Sequence, residues 1–191
     1  MVSPTDTNQV LLTGENNYMR LHIEENGPMT TRASHWRILL SPAGAGHVLF
    51  LKSDVTNDEV RIYSDNIAVA RWLQDEIVGN AEMNDPAIPV ITAAFDRSGD
   101  ASFFWTESIE TEEESIELTW DDFGEPFTMI VPPGSAPDRP LGWNSVFVPA
   151  RRAQLTLNGE VAQGRPFPEQ RGVRLSSTAG LALSETWVRP A

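Results

Sequence analysis

The chain has no cysteine, which excludes disulfides, thiolate metal sites and cysteine nucleophiles. It has a single lysine, Lys52, and no glycine-rich loop ending in Lys-Ser/Thr, so a phosphate-cradling loop is ruled out. Gly-x-Gly-x-x-Gly after a strand, Gly-x-Ser-x-Gly, His-Glu-x-x-His and the EF-hand loop are also missing. There are only three histidines, His22, His35 and His47, and a triad built on later hydroxyls would have to borrow one of them. Positive charge is scarce: 14 basic against 27 acidic residues give a net charge of −13, so binding that rests on phosphate neutralisation is not expected. No apolar run approaches the ~20 residues of a membrane helix. The start, MVSPTDTNQV, has neither basic residues nor an apolar segment, so no secretory signal is read there. The expectation is a soluble, cytoplasmic protein with no membrane or nucleic-acid partner.

What is present is globular: 191 residues, 40% hydrophobic and 21% charged. This is enough chain for one core, and residues 1–191 read as a single domain. Most segments alternate with period two, the strand signature. In residues 18–25, Met19, Leu21 and Ile23 alternate with Arg20, His22 and Glu24. In residues 33–40, Trp36, Ile38 and Leu40 alternate with His35, Arg37 and Leu39. Asn26-Gly27-Pro28 between them marks a hairpin turn. Residues 47–52 and 59–64 read as a second pair. Further strands are expected at 88–96, 102–109, 115–121, 127–131, 145–148, 153–157, 173–177 and 181–188. Asn158-Gly159 has the composition of a two-residue hairpin turn, and 132–137 reads as a loop.

One segment has helical spacing. Ser64-Asp65-Asn66 offers N-caps, Ile67, Val69, Ala70, Leu73 and Ile77 form an apolar stripe, and Gly79 follows as a C-terminal stop. The reading is one helix over 66–78, with Trp72 packing it onto the sheet. The fold class is therefore mainly β, an antiparallel barrel or curved sandwich with one short α-helix. Its architecture is similar, by analogy only, to lipocalin-like small barrels.

Charge and aromatics are unevenly placed. Residues 107–125 hold nine acids (Glu107, Glu110, Glu112, Glu113, Glu114, Glu117, Asp121, Asp122 and Glu125) and no base. That run reads as a solvated hairpin tip around 111–114, or else as an acidic docking surface. From Asp138 onward the balance reverses, with seven arginines against four acids. Phe103, Phe104 and Trp105 make both faces of one strand apolar, as beside a helix or at a homodimer interface.

The constellation with chemical content lies on the first hairpin. Arg20, His22 and Glu24 share one strand face, and His35 and Arg37 share one face of the next. A turn centred near residue 28 or 29 would put the two sets side by side. Histidine titrates near neutrality, a carboxylate orients an imidazole, and arginine grips anions with fixed donors. His22, Glu24 and His35 are thus candidate catalytic residues. Arg20, Arg37, Trp36, Trp105 and Trp120 are candidate substrate contacts in an aromatic-lined barrel. The other reading of the same face is the ordinary polar exterior of a half-buried strand. No cofactor is expected; a divalent metal on His22, Glu24, His35 and His47 is the variant reading. The hydroxyls of 176–178 and 184–186, in strands expected to pair, read as structural. These residues suggest a small-molecule-binding barrel acting as a lyase or isomerase without organic cofactor on an anionic or carbonyl substrate. The alternatives are a non-catalytic carrier and an interaction module working through 107–125.

Overall fold

The period-two segments become strands and the one helical stripe becomes a helix. The computed structural model describes residues 10–135 and 140–190. The first half comprises β1 (Val10–His22), β2 (Met29–Leu40), β3 (Gly46–Ser53), β4 (Val60–Ser64), α1 (Ile67–Glu76), β5 (Val90–Thr92) and β6 (Ala94–Asp100). Then come β7 (Phe104–Glu110), β8 (Ser115–Phe123), β9 (Phe127–Val131) and β10 (Gly142–Leu157). The chain ends with β11 (Glu160–Val161), β12 (Pro168–Arg171), β13 (Arg174–Ser177) and β14 (Ala179–Val188).

Ten of these strands run side by side in the order β5-β4-β3-β2-β1-β14-β10-β8-β7-β6, and β9 and β11 also pair with β10. Every pairing in this sheet is antiparallel except β4 with β5. The two edge strands, β5 and β6, are consecutive in the chain with Ala93 alone between them. The sheet therefore comes round on itself into a nearly closed barrel. Strand β10 crosses the whole barrel as one 16-residue element, where the spacing suggested two separate strands. The Asn158-Gly159 turn forms as expected, with φ of 53° and 82° at its two central residues.

Apolar side chains pack in two layers. Inside the barrel, Met19, Leu21, Leu49, Leu51, Trp105, Leu118, Trp120 and Leu181 are buried together. Outside it, Trp36, Ile38, Val48, Phe50 and Ile62 are covered by Val69, Ala70 and Leu73 of α1, with Trp72 partly buried against them. The helix begins where expected: the Asn66 side chain accepts from the Ala68 backbone N–H at 3.2 Å. Its end differs, because Ile77 closes it in right-handed conformation and Gly79 does not take the positive φ of a C′ glycine.

Two other expectations are corrected. Phe103 and Phe104 are exposed, 75% and 46%, because neither the helix nor another strand covers that end of β7. The segments 176–178 and 184–186 do not pair with each other. Strand β13 pairs with β12 in a separate two-stranded hairpin, and β14 pairs with β1 and β10. Of the expected loop 132–137, residues 136 and 137 lie outside the described residues.

Candidate functional site

Register decides which side of the barrel each candidate residue faces. In β1 and β2, Met19 lies opposite Ala33, Asn17 opposite His35, and Glu15 opposite Arg37. That register is centred on residue 26, so odd positions pair with odd, whereas pairing Arg20 with Arg37 and His22 with His35 needs a centre midway between residues 28 and 29. The expected single face is therefore split, since a one-residue change of parity sends a side chain through the sheet. His35 and Arg37 share the inner face with Met19 and Leu21, while Arg20 points outward.

The outward set is dispersed. Arg20 is bound to Glu169 of β12 at 2.6 Å. His22 Nδ1 lies 2.9 Å from the Gly27 carbonyl, with its ring edge-on to Phe167. Glu24 is exposed in the turn. The tryptophans lie in the packed core. Trp36 lies under α1, Trp120 is fully buried with its indole N–H on the Tyr18 carbonyl at 2.9 Å, and Trp105 fills the interior. None of the three lines the larger cavities among the described residues. Large side chains fill the middle of the barrel.

The inward set is joined by residues from distant strands. His47 of β3 lies opposite Arg37, and its ring stacks on His35 at 6.2 Å and on Phe95 of β6 at 5.2 Å between centroids. These contacts span the seam where β5 turns into β6. Here a cavity of about 270 Å³ opens, lined by Arg37, His47, Phe95, Asp96, Arg97 and Glu107.

Each wall has a distinct electrostatic character. Asp65, just beyond β4, accepts from the His47 backbone N–H at 2.6 Å and lies 2.7 Å from His47 Nδ1 through its other oxygen. An ionised carboxylate only accepts, so Nδ1 carries the proton and Nε2 is left as the basic nitrogen. Glu107 is buried and receives three donors on one oxygen, from Arg97, the Trp105 indole and Asn17, at 2.9, 2.8 and 3.3 Å. Burial nevertheless raises its pKa against the pull of Arg97 and Trp105. Arg97 also binds Glu15 at 2.5 Å and lies 4.2 Å over the Trp105 ring. Arg37 has no ionic partner among the described residues.

His35 is wholly buried, and neither ring nitrogen has a hydrogen-bond partner among the described residues. Its Nδ1 comes within 3.7 Å of Glu107 Oε1, too far for a hydrogen bond to an oxygen already holding three donors. Desolvation first, then the charges of His47, Arg97 and Arg37, lower its pKa to about 3. His35 is therefore neutral and packs behind two residues of the site, His47 and Phe95.

Metal binding does not follow from this geometry. His35 and His47 come together, but His22 and Glu24 lie outside the barrel. Among the described residues, no three His, Asp or Glu side chains are arranged to hold an ion. The acidic run is also not uniformly a solvated tip. Glu107 belongs to this site, and Glu114 accepts from Arg61 and, at 2.7 Å, from the Tyr63 hydroxyl across the other end of the barrel. Three contributors gave no local signal. Asp65 read as a capping residue, Glu107 as one acid in a run, and Arg97 fell between the strands expected at 88–96 and 102–109.

No family model, curated protein or solved structure matches this chain. Among the described residues, no helix is long and apolar enough to cross a membrane.

Proposed function

We propose that the protein binds a small anionic, carbonyl-bearing molecule at the barrel mouth and that His47, oriented by Asp65, exchanges a proton with it. The observation that carries this reading is the His47–Asp65 pair at 2.7 Å in a cavity shared with Arg37. An imidazole fixed at Nδ1 presents Nε2 as a general base, and an unpaired guanidinium supplies bidentate donors to a carboxylate. Phe95 gives the cavity an apolar wall, and its 270 Å³ suits a ligand of few heavy atoms. These features support the acid–base reading over a carrier, since a carrier of apolar ligands gains nothing from an oriented imidazole beside an arginine. His35 takes the supporting role in this reading, and Arg20, His22 and Glu24 take none.

Pyruvate is a suitable probe, having both a carboxylate and protons next to a carbonyl. At millimolar concentration it should shift the NMR signals of His47 and Phe95, and Arg37→Gln should weaken binding at least tenfold. Exchange of its methyl protons in D₂O should be accelerated by the protein and fall about 10²-fold in His47→Gln. Binding without exchange would leave a carrier; no shift at the mouth, or shifts insensitive to Arg37→Gln, would end the proposal.

A further inference from the structure

A second cavity lies on the outside of the barrel. Strand β8 ends at Phe123 and β9 begins at Phe127, both along the same edge of β10. The three residues between them bow outward, with the Gly124 N–H on the Pro149 carbonyl at 2.7 Å. Facing this bow is the β12–β13 hairpin with the segment leading into it, and the trench between encloses about 460 Å³. The hairpin is fastened to the barrel. Glu169 binds Arg20 and Arg171 at 2.6 and 2.9 Å, and the Arg171 guanidinium lies 4.5 and 4.6 Å over the rings of Tyr18 and Phe147. The Tyr18 hydroxyl reaches the Ser177 carbonyl at 3.3 Å. The trench wall is therefore held in place before any ligand arrives, which lowers the ordering cost of binding.

Its lining combines two characters. Phe127, Phe167 and the rings of Pro126, Pro149, Pro166 and Pro168 make flat apolar walls. Arg151, Arg165 and Arg174 stand among them against one carboxylate, Glu125. Arg151 is paired with Asp122 at 3.1 Å, but Arg165 and Arg174 have no acidic partner among the described residues. The Arg165 guanidinium lies 4.2 Å over the Phe167 ring, leaving its edges available to an anion. A local excess of arginine on a chain of net charge −13 is a departure from the surface as a whole. Within the trench, Ser176 is 5% exposed and its hydroxyl has no hydrogen-bond partner among the described residues. A buried hydroxyl without a partner is unfavourable, and a ligand oxygen would relieve it.

We propose that this trench is a second binding site, independent of the barrel mouth, for an amphipathic carboxylate with a flat ring body. The ring would lie between Phe127, Phe167 and the prolines. The carboxylate would take hydrogen bonds from Arg174, Arg165 and the Ser176 hydroxyl. The two sites share no lining residue.

2-Naphthoate is the probe, followed by NMR chemical-shift mapping on the full chain. Shifts should centre on Phe167, Leu175 and Ser176. The double variant Arg165→Gln/Arg174→Gln, which keeps the apolar walls, should weaken binding at least tenfold, and Ser176→Ala severalfold. The neutral analogue 2-naphthamide should bind at least tenfold more weakly than the acid, and Arg37→Gln at the mouth should leave naphthoate affinity within twofold. Equal binding of acid and amide, insensitivity to the double variant, shifts centred on the mouth, or no binding at millimolar concentration would each overturn the proposal.

Discussion

Replacing His35 with Leu should leave the protein as stable as before at pH 7, or more so, and should remove part of its acid sensitivity. The imidazole has no exposure and no hydrogen-bond partner among the described residues, so at pH 7 an apolar side chain of similar size relieves about 1–3 kcal/mol of unmet polarity. Part of that gain is offset by imperfect packing against Phe95 and His47. The pH effect is larger. The folded-state pKa is about 3, against an ordinary value of 6.5. Below pH 6.5 the unfolded chain takes up a proton that the folded chain refuses, so stability falls as pH falls, by roughly 1.4 kcal/mol per unit. By pH 4.5 this residue should cost the native protein roughly 3 kcal/mol that His35→Leu does not lose. Urea denaturation of both proteins at intervals from pH 8 to 4 measures the difference curve directly. It must be read as a difference, because the carboxyls with raised pKa values, Glu107 and Glu185, act in the opposite direction over the same range. Parallel curves, or a variant more than about 2 kcal/mol less stable at pH 7, would refute the argument. His35 would then be satisfied in the fold, for instance as a charged partner of Glu107.

Glu185 should show the reverse sign. It is buried, its Oε1 accepts from the Trp187 indole at 2.9 Å, its Oε2 has no partner among the described residues, and burial lifts its pKa to about 7. The folded state holds that proton where the unfolded state releases it, so stability drops as pH rises from 4.5 to 7. Glu185→Gln should be more stable than wild type at pH 8 by on the order of 2–3 kcal/mol, measured by thermal or urea unfolding. Glu112→Gln/Glu113→Gln should change stability by no more than a few tenths of a kcal/mol. Glu114→Ala should cost about 1–2 kcal/mol, because Arg61 and the Tyr63 hydroxyl lose their acceptor; equal effects on the same urea assay would contradict that division. Gly14→Ala would place a methyl group 2.2 Å from the Arg37 carbonyl oxygen. It should destabilise by 2 kcal/mol or more, with loss of amide-exchange protection along β1 and β2; unchanged protection would show that the strands can part there.

The sequence alone determined the elements. Alternation in residues 18–25 and 33–40, the Asn158-Gly159 turn and the stripe of Ile67, Val69, Ala70 and Leu73 are local signals, and each became the strand, turn or helix it indicated, the first only as far as His22. They suffice for the mainly β, barrel-like class because period and turn chemistry act within a few residues of chain. Only the tertiary structure decided the faces. In β2 both sides are buried, His35 within the barrel and Trp36 beneath α1, so polar alternation no longer distinguished inside from outside. The register centred on residue 26 then sent His35 and Arg37 inward and Arg20 outward, a parity that no local pattern encodes. Asp65 reaches His47 through the β3–β4 pairing, in which Val48 lies opposite Ser64, but Arg97 and Glu107 join it because the sheet curls until β6 meets β3 across the seam. Their partnership depends on closure of the whole barrel, and nothing in the neighbourhood of each residue in the chain announces it.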